Sequence, residues 1–210
     1  MANTSFYADK GKVHASVKDE APIHVSKGAE IHANTKIGRY TVIGVNSVIY
    51  PNVTIGRYCS IARNAEIGVA LHPTKFLSTH AFQITKNSFP HDEDYAAIKH
   101  VKSEWFHKPI VIGNDVLVGA KAVILPGVKI GHGAIIGSNS VVTRDVAPYE
   151  IIGGVPGTKI GFRFNESTIN ELLKLSWWDI DIKYLKNIQF DNIDIAIRQI
   201  KDLLAYLGRL

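Results

Sequence analysis

From Val25 onward an aliphatic side chain returns at every sixth position: Val25, Ile31, Ile37, Ile43, Ile49, Ile55, Ile61 and Ile67. The period stops there and resumes in a new phase at Ile112, Val118, Ile124, Ile130, Ile136 and Val142. Two positions before these aliphatics stand small or apolar residues, such as Ala29, Thr35, Thr41, Ser47, Cys59 and Ala65, then Val116, Ala122 and Ala134. Gly directly follows the aliphatic at Gly38, Gly44, Gly56 and Gly68, and again at Gly113, Gly119, Gly131 and Gly137. A helix needs a period near 3.6 and a simple strand a period of 2. A period of six with Gly at one phase fits neither. It fits very short strands joined by tight turns that Gly can make, with the aliphatic pointing inward and the small residue turning the corner. One rung cannot bury its apolar side alone, whereas stacked rungs share a core, so the sequence predicts a solenoid. Cys59 falls on an inward corner position and reads as core packing, not as a nucleophile.

A chain of 210 residues supports one sizeable core with an appendage. Its 46% hydrophobic and 20% charged content argues against disorder. The formal charge of +5, from 24 Lys+Arg against 19 Asp+Glu, suits a phosphate-bearing partner, and charge alone does not choose between nucleic acid and a phosphorylated cofactor. With no Lys/Arg cluster and no stripe of aromatics among basic residues, nucleic acid is not the expected partner. A single Cys gives no internal disulfide and suits a reducing compartment. The N-terminus lacks an apolar leader and no apolar run reaches membrane-spanning length, so a soluble cytoplasmic protein is expected.

The break between the two registers, about residues 69–109, is too long for an idle connection. It holds five of the nine histidines, His72, His80, His91, His100 and His107, together with Phe76, Phe82, Phe89, Trp105 and Phe106. After about residue 160 the pattern turns helical. Ile169, Leu172, Leu173 and Trp177 form one stripe, with Asn165 or Thr168 as N-cap and Glu171 completing a capping box for the latter. Ile193, Ile197, Ile200, Leu204 and Leu207 form a second. Residues 1–163 therefore read as a β-helix domain interrupted by an extruded loop, and 164–210 as a helical cap suited to covering the open end of the solenoid.

The blocks "IGRYTVIGVNSVIYPNVTIGRYCSIARNAEIG" and "IGNDVLVGAKAVILPGVKIGHGAIIGSNSVVTRDVAPYEIIGGVPGTKI" resemble hexapeptide-repeat acyltransferases, within them the xenobiotic and sugar O-acetyltransferase branch. "SWWDI" at 176–180 resembles the C-terminal segment of that branch. The resemblance runs from about residue 25 to about 180. It implies a left-handed parallel β-helix with three hexapeptides per turn, a homotrimer, and active sites between neighbouring subunits. It also implies acetyl transfer from acetyl-CoA to a hydroxyl, with no metal. The sequence departs from the family pattern at Leu117 (often Trp), Gly157 (usually Ala), Gly161 (often basic) and Leu71 (often Asn in antibiotic-modifying members). The last departure, with the "HPT…LSTH" run, shifts the expected acceptor from antibiotics toward sugars of a surface polysaccharide or its precursors.

Acetyl transfer to an alcohol needs a base for the hydroxyl proton, donors for the oxyanion, and a surface that holds both substrates. A neutral His is the natural base near pH 7. His72, where the first block ends, matches the family's catalytic position, with Ser78, Thr79 and Phe82 in the acceptor-side places that follow it. His80 is either a second acceptor-site group or simply packed. For coenzyme A, the resemblance points to Gly119 and Ala120, the equivalent corner Gly137 and Ser138, and the closing segment with Gly154, Pro156 and Lys159. Thr143, Arg144 and Arg163 join Lys159 as residues able to face the adenosine phosphates. The expected mechanism is direct transfer in a ternary complex, with no covalent acetyl-enzyme. Competing readings are N-acetylation of an amino sugar or its nucleotide, O-acetylation of an antibiotic, a zinc hydro-lyase with His ligands shared between subunits, and a non-enzymatic binding solenoid. His72 and His80 do not sit on the wall at coil spacing, as shared zinc ligands would.

Overall fold

The computed structural model describes residues 4–8, 12–101 and 108–209. Its body is a parallel β-solenoid with three walls built from very short strands. Wall I stacks Phe6–Tyr7, His24–Val25, Val42–Ile43, Ser60–Ile61, Leu117–Val118, Ile135–Ile136 and Glu150–Gly153, and ends with the antiparallel strand Thr158–Phe162. Wall II stacks Glu30–Ile31, Val48–Ile49, Glu66–Ile67, Val123–Ile124 and Val141–Val142. Wall III stacks Lys18–Asp19, Lys36–Ile37, Val53–Ile55, Ile110–Ile112 and Lys129–Ile130. Neighbours in a wall lie 18 residues apart, as Val42 and Ser60 do, so three hexapeptides make one coil. The excursion leaves this register intact, because Ile55 pairs Ile112 and Ile67 pairs Ile124. The change of phase in the sequence is an insertion between walls II and III, not a fault in the coil. Trp105, Phe106 and His107 lie outside the described residues.

All fourteen period-six aliphatics point inward and none is more than 2% exposed. They form one continuous apolar column. The corner residues beside them are buried as well, and four are hydroxylated: Thr35, Thr41, Ser47 and Ser140. Their hydroxyls are satisfied within the coil. Thr41 Oγ1 donates to the Gly56 carbonyl at 2.8 Å and accepts from Cys59 N, while Ser47 Oγ donates to the Ala62 carbonyl at 2.7 Å and accepts from Ala65 N. A buried hydroxyl without such partners would cost about 1–3 kcal/mol. Burial pushes the Cys59 thiol up to about 12, which leaves it protonated and inert in the core.

The recurrent Gly has a different purpose from the one the sequence suggested. Positive φ at the corners belongs mostly to non-Gly residues, Asn34, Tyr40, Asn46, Asn52, Tyr58, Asn64, Asp115, Lys121, Asn139 and Tyr149, and to Gly28, Gly127 and Gly133, none of which follows a period-six aliphatic. Gly38, Gly44, Gly56, Gly113, Gly119 and Gly131 are needed instead because the next coil lies directly on them, whereas Gly68 itself adopts a positive φ of 95°. A Cβ on Gly44 would stand 2.7 Å from the Ala62 carbonyl carbon and from Arg63 N. Both are backbone atoms and cannot rotate away. Gly44→Ala is therefore expected to lose about 1–3 kcal/mol of stability through forced backbone shifts. A urea titration checks this, and an unchanged midpoint would show that the coils are looser than this contact implies.

The C-terminal segment carries α2, Glu166–Leu175, and α3, Ile193–Tyr206; α1, Glu93–Ala97, lies in the inserted loop. Asn165 is the N-cap of α2, its side chain accepting from Thr168 N at 2.9 Å, so the alternative capping box at Thr168 is not used. The helices share a second apolar cluster of Leu172, Leu175, Ile180, Ile197, Ile200 and Leu204 with Tyr149 of the last coil. They do not simply cover the open end, as their apolar stripes suggested. The segment runs along the corner between walls III and I, because that corner carries aromatic and charged side chains it can match. Trp178 stacks on His132 with centroids 4.6 Å apart, Trp177 lies against Tyr58, and Asp179 pairs with Arg57 at 2.6 Å. Arg57 also pairs with Glu20, tying an early coil to the tail.

His132 is thereby packed beneath Trp178, not displayed on an outward face. Asn114 N donates to its Nδ1 at 2.9 Å, which requires a lone pair there. Burial holds its pKa below the ordinary 6.5, and Asp179 only partly opposes this. A depressed folded-state pKa means that the stabilisation is complete above the ordinary value and is lost as pH falls through the folded value. The urea midpoint is expected to drop between about pH 7.5 and about pH 5.5, with a smaller drop in His132→Asn. An equal drop in both proteins would assign the acid sensitivity elsewhere.

Candidate active site

The inserted loop leaves wall II after Ile67 and returns to wall III at Ile110, so it hangs from the corner between those walls. His72 stands five residues past Ile67, with an exposed side chain. Its Nδ1 lies 2.8 Å from the Thr79 carbonyl oxygen. A carbonyl only accepts, so Nδ1 carries the hydrogen and Nε2 keeps a lone pair directed away from this anchor. Ser78, Thr79, His80 and Phe82 follow in one tight segment. Ser78 Oγ accepts from His80 N at 3.0 Å, and His80 Nδ1 accepts from Phe82 N at 3.1 Å. The sequence left Gln83 unremarked. Its side-chain amide donates to the Ser78 carbonyl and its own carbonyl accepts from Val101 N, closing the loop on itself. An isolated Gln in an irregular segment carries no periodic signal that would have singled it out. Leu77 is fully exposed, and Phe89 and Val101 are exposed too, an apolar surface left open among the described residues.

The residues expected to hold coenzyme A are divided among all three corners. Gly119 and Ala120, Gly137 and Ser138, and then Gly154 and Pro156 stack in one column between walls I and II. Gly119 N donates to the Ile136 carbonyl and Gly137 N to the Ile152 carbonyl, both at 2.8 Å. Val141 N donates to Gly154 O, which draws the closing segment over the same corner. The coil-to-coil ladder uses the amides of Gly119 and Gly137 but not those of Ala120 and Ser138. Lys159 is exposed at the end of this column, with Nζ 4.0 Å from the Phe162 ring centroid. Gly161 has nothing within 4 Å of its Cβ position, so space remains for the basic residue often found there. Leu117 is 41% exposed on the outer face of wall I, in register with Ser60 and Ile135.

Thr143 and Arg144 stand on another corner, between walls II and III, below the point where the loop emerges. Arg144 pairs at 2.9 Å with Glu150, a carboxylate only 4% exposed. That hydrogen bond and charge hold Glu150 below the ordinary carboxylate range against its desolvation. A phosphate would have to compete with this pair for Arg144. Arg163 requires a correction. It lies on the third corner, where its guanidinium donates to Asp115 at 2.8 Å and to the Gly133 carbonyl at 2.9 Å. It also packs against Tyr149 and Phe164. Its Nη1 is committed to these two partners, on a different corner from the Gly column. Among the described residues no group of three or more His, Cys, Asp or Glu could hold a metal, and no helix is long and apolar enough to cross a membrane.

Comparison with known proteins bears on the same elements. The family model described as bacterial transferase hexapeptide (six repeats) matches residues 34–68 and 109–144. These are the coils on either side of the inserted loop. A chloramphenicol acetyltransferase from Klebsiella aerogenes is 53% identical over 76 residues, covering 36% of this chain and 36% of that protein. The chain thus matches about a third of that relative's length. Galactoside O-acetyltransferase from Escherichia coli is 34% identical over 139 residues, covering 65% of this chain and 56% of that protein. An N-acyltransferase from Bacillus cereus, solved with dTDP and 3-hydroxybutyryl-CoA, superposes with a TM-score of 0.54 at 19% identity. That superposition covers 82% of this chain and 84% of that one, and at this identity it speaks for the fold. The family match lies within the coils: residues 34–68 and 109–144 carry bacterial transferase hexapeptide repeats, and these repeats form the walls of a parallel β-solenoid.

Proposed function

We propose that the chain moves an acetyl group from acetyl-CoA to a hydroxyl of a sugar or sugar-like acceptor, with His72 as general base. The observation that carries this reading is the Thr79 carbonyl on His72 Nδ1, which leaves Nε2 as the basic nitrogen at an exposed, anchored position. His72 Nε2 takes the proton of the acceptor hydroxyl as its oxygen attacks the thioester carbonyl. The carbon–sulfur bond breaks, and the proton passes from His72 to the departing thiolate. The amides of Ala120 and Ser138, unused by the ladder, suit the amide-rich arm of coenzyme A, and Lys159 suits its phosphates. A coenzyme A thioester donor and an inert buried thiol both favour a cytoplasmic setting.

The same geometry supports a homotrimer with sites between subunits. Within one chain, wall II separates the His72 corner from the Gly column. A second copy packed beside wall II would bring a His72 loop to a Gly column. The uncovered Leu77, together with Val42 at 42% and Leu117 at 41% exposure on wall I, provides apolar surface for such packing.

A second reading, a xenobiotic hydroxyl as acceptor, is favoured by the 53% match to a chloramphenicol acetyltransferase. The deciding experiment is free thiol released from acetyl-CoA across sugars, nucleotide sugars, amino sugars and chloramphenicol. Release stimulated by sugars supports the first reading, and release with chloramphenicol alone supports the second. Release only with amino sugars makes the enzyme an N-acetyltransferase. No release with any acceptor, and no acetyl-CoA binding by calorimetry, overturns all three.

A further inference from the structure

His80 is eight residues from His72 and one from the carbonyl that anchors it, yet its bonding is the reverse of His72's. Its Nδ1 accepts from Phe82 N at 3.1 Å, so that nitrogen must carry the lone pair. The neutral ring then bears its hydrogen on Nε2. His72 presents a basic nitrogen, and His80 presents an N–H donor. The ring is also held in place. The backbone N–H of His80 donates to Ser78 Oγ at 3.0 Å, and the ring stacks on Phe82 with centroids 5.7 Å apart. The side chain is exposed. Among the described residues no hydrogen bond takes up this donor. Its place in the Ser78–Phe82 segment puts it on the same loop tip as the base.

Resting on the transferase reading above, we propose that His80 Nε2–H donates a hydrogen bond to an oxygen of the acceptor other than the one that is acetylated. His80 thereby selects polyhydroxylated acceptors, and it is not a second base. An apolar acceptor leaves this donor unpaired when the site closes over it, whereas a neighbouring sugar hydroxyl or ring oxygen satisfies it.

Two roles can be separated by substitution. Asn at this position retains an acceptor able to cap Phe82 N but cannot reach the Nε2 position. Gln places an amide N–H near that position but caps poorly. Kinetics of the full chain with methyl glycosides and their monodeoxy analogues read out the difference. For H80N we expect kcat/KM for the glycoside to fall about 3- to 10-fold, mainly through KM. The KM for acetyl-CoA and the pH–rate profile should stay unchanged. H80Q should recover most of the loss. One monodeoxy glycoside should cost wild type the same factor and H80N nothing further. Nitrogen-15 histidine spectra should show His80 with its hydrogen on Nε2 and His72 with its hydrogen on Nδ1. A purely structural role is shown instead if H80N matches wild type and H80Q does not. A shifted pH profile in H80N, or a His80 hydrogen found on Nδ1, also overturns the proposal while leaving the transferase reading intact. No thiol release by wild type overturns the transferase reading and the role of His80 with it.

Discussion

His72→Ala and His72→Asn are expected to turn over acetyl-CoA and acceptor about 100- to 10,000-fold more slowly than wild type, the range that general-base catalysis contributes. The Asn variant is the sharper test. Its side-chain amide can still donate to the Thr79 carbonyl, so the local loop geometry survives while the basic nitrogen is lost. The loss should fall on kcat. Acetyl-CoA binding, measured by calorimetry, should persist, because His72 stands on a different corner from the Gly column. A folded His72→Asn protein with full activity removes His72 from the mechanism. Lost acetyl-CoA binding would place the defect on the donor side. The division of the site between corners adds a further test. A Ser138→Trp protein, with its Gly column blocked, should be inactive alone and recover activity when reassembled with His72→Ala. Each contributes the part the other lacks at a shared interface. No recovery would mean that one chain supplies both parts of its own site.

Trp178→Ala is expected to cost about 3–5 kcal/mol, as truncation of a buried Trp does, and to cost it unevenly. Trp178 is 4% exposed and stacked on His132, where it fastens the helical segment to the corner between walls III and I. The apolar cluster of α2 and α3 is separate from the isoleucine column of the solenoid and meets it near Tyr149. Hydrogen exchange should therefore show α2 and α3 losing protection while the inward strands keep theirs. His132, no longer covered, should regain an ordinary pKa, and the acid sensitivity described above should shrink. Uniform loss of protection in helices and strands would show instead that the segment and the solenoid unfold as one unit.

The solenoid was legible because its code is periodic. Ile37, Ile55 and Ile112 each repeat one local instruction, to point inward and then turn. Stacking identical rungs converts that instruction directly into a fold. The interruption was legible for the same reason, as the place where the period fails. His72 stood out only because that failure marks a junction. The tautomers of His72 and His80 were not readable, since they depend on which backbone atoms the folded loop brings within 3 Å or so of each ring. The Gly column misled in detail. A residue required by the next coil's backbone and a residue required for positive φ look alike in sequence, and the positive φ at these corners fell mostly to Asn, Tyr, Asp and Lys, with Gly at only a few.

The basic residues show where sequence reading ends. Lys159, Arg144 and Arg163 share a charge and a neighbourhood in the chain, and all three suited a phosphate equally well. Folding left Lys159 on the last strand of wall I, sent Arg144 and Arg163 to two different corners, gave Arg144 to a buried Glu150 and gave Arg163 to Asp115. The helical stripes likewise specified that α2 and α3 bury an apolar face, but not against what. Trp178 found His132 because a solenoid places residues of successive coils in columns. The sequence by itself determined the coil, its core and the point where the loop leaves, because these follow from nearest-neighbour rules repeated along the chain. Only the tertiary structure decided which charges stay free, which imidazole nitrogen is basic, and which wall the tail covers. Those outcomes depend on groups distant in sequence competing for the same few ångströms of space.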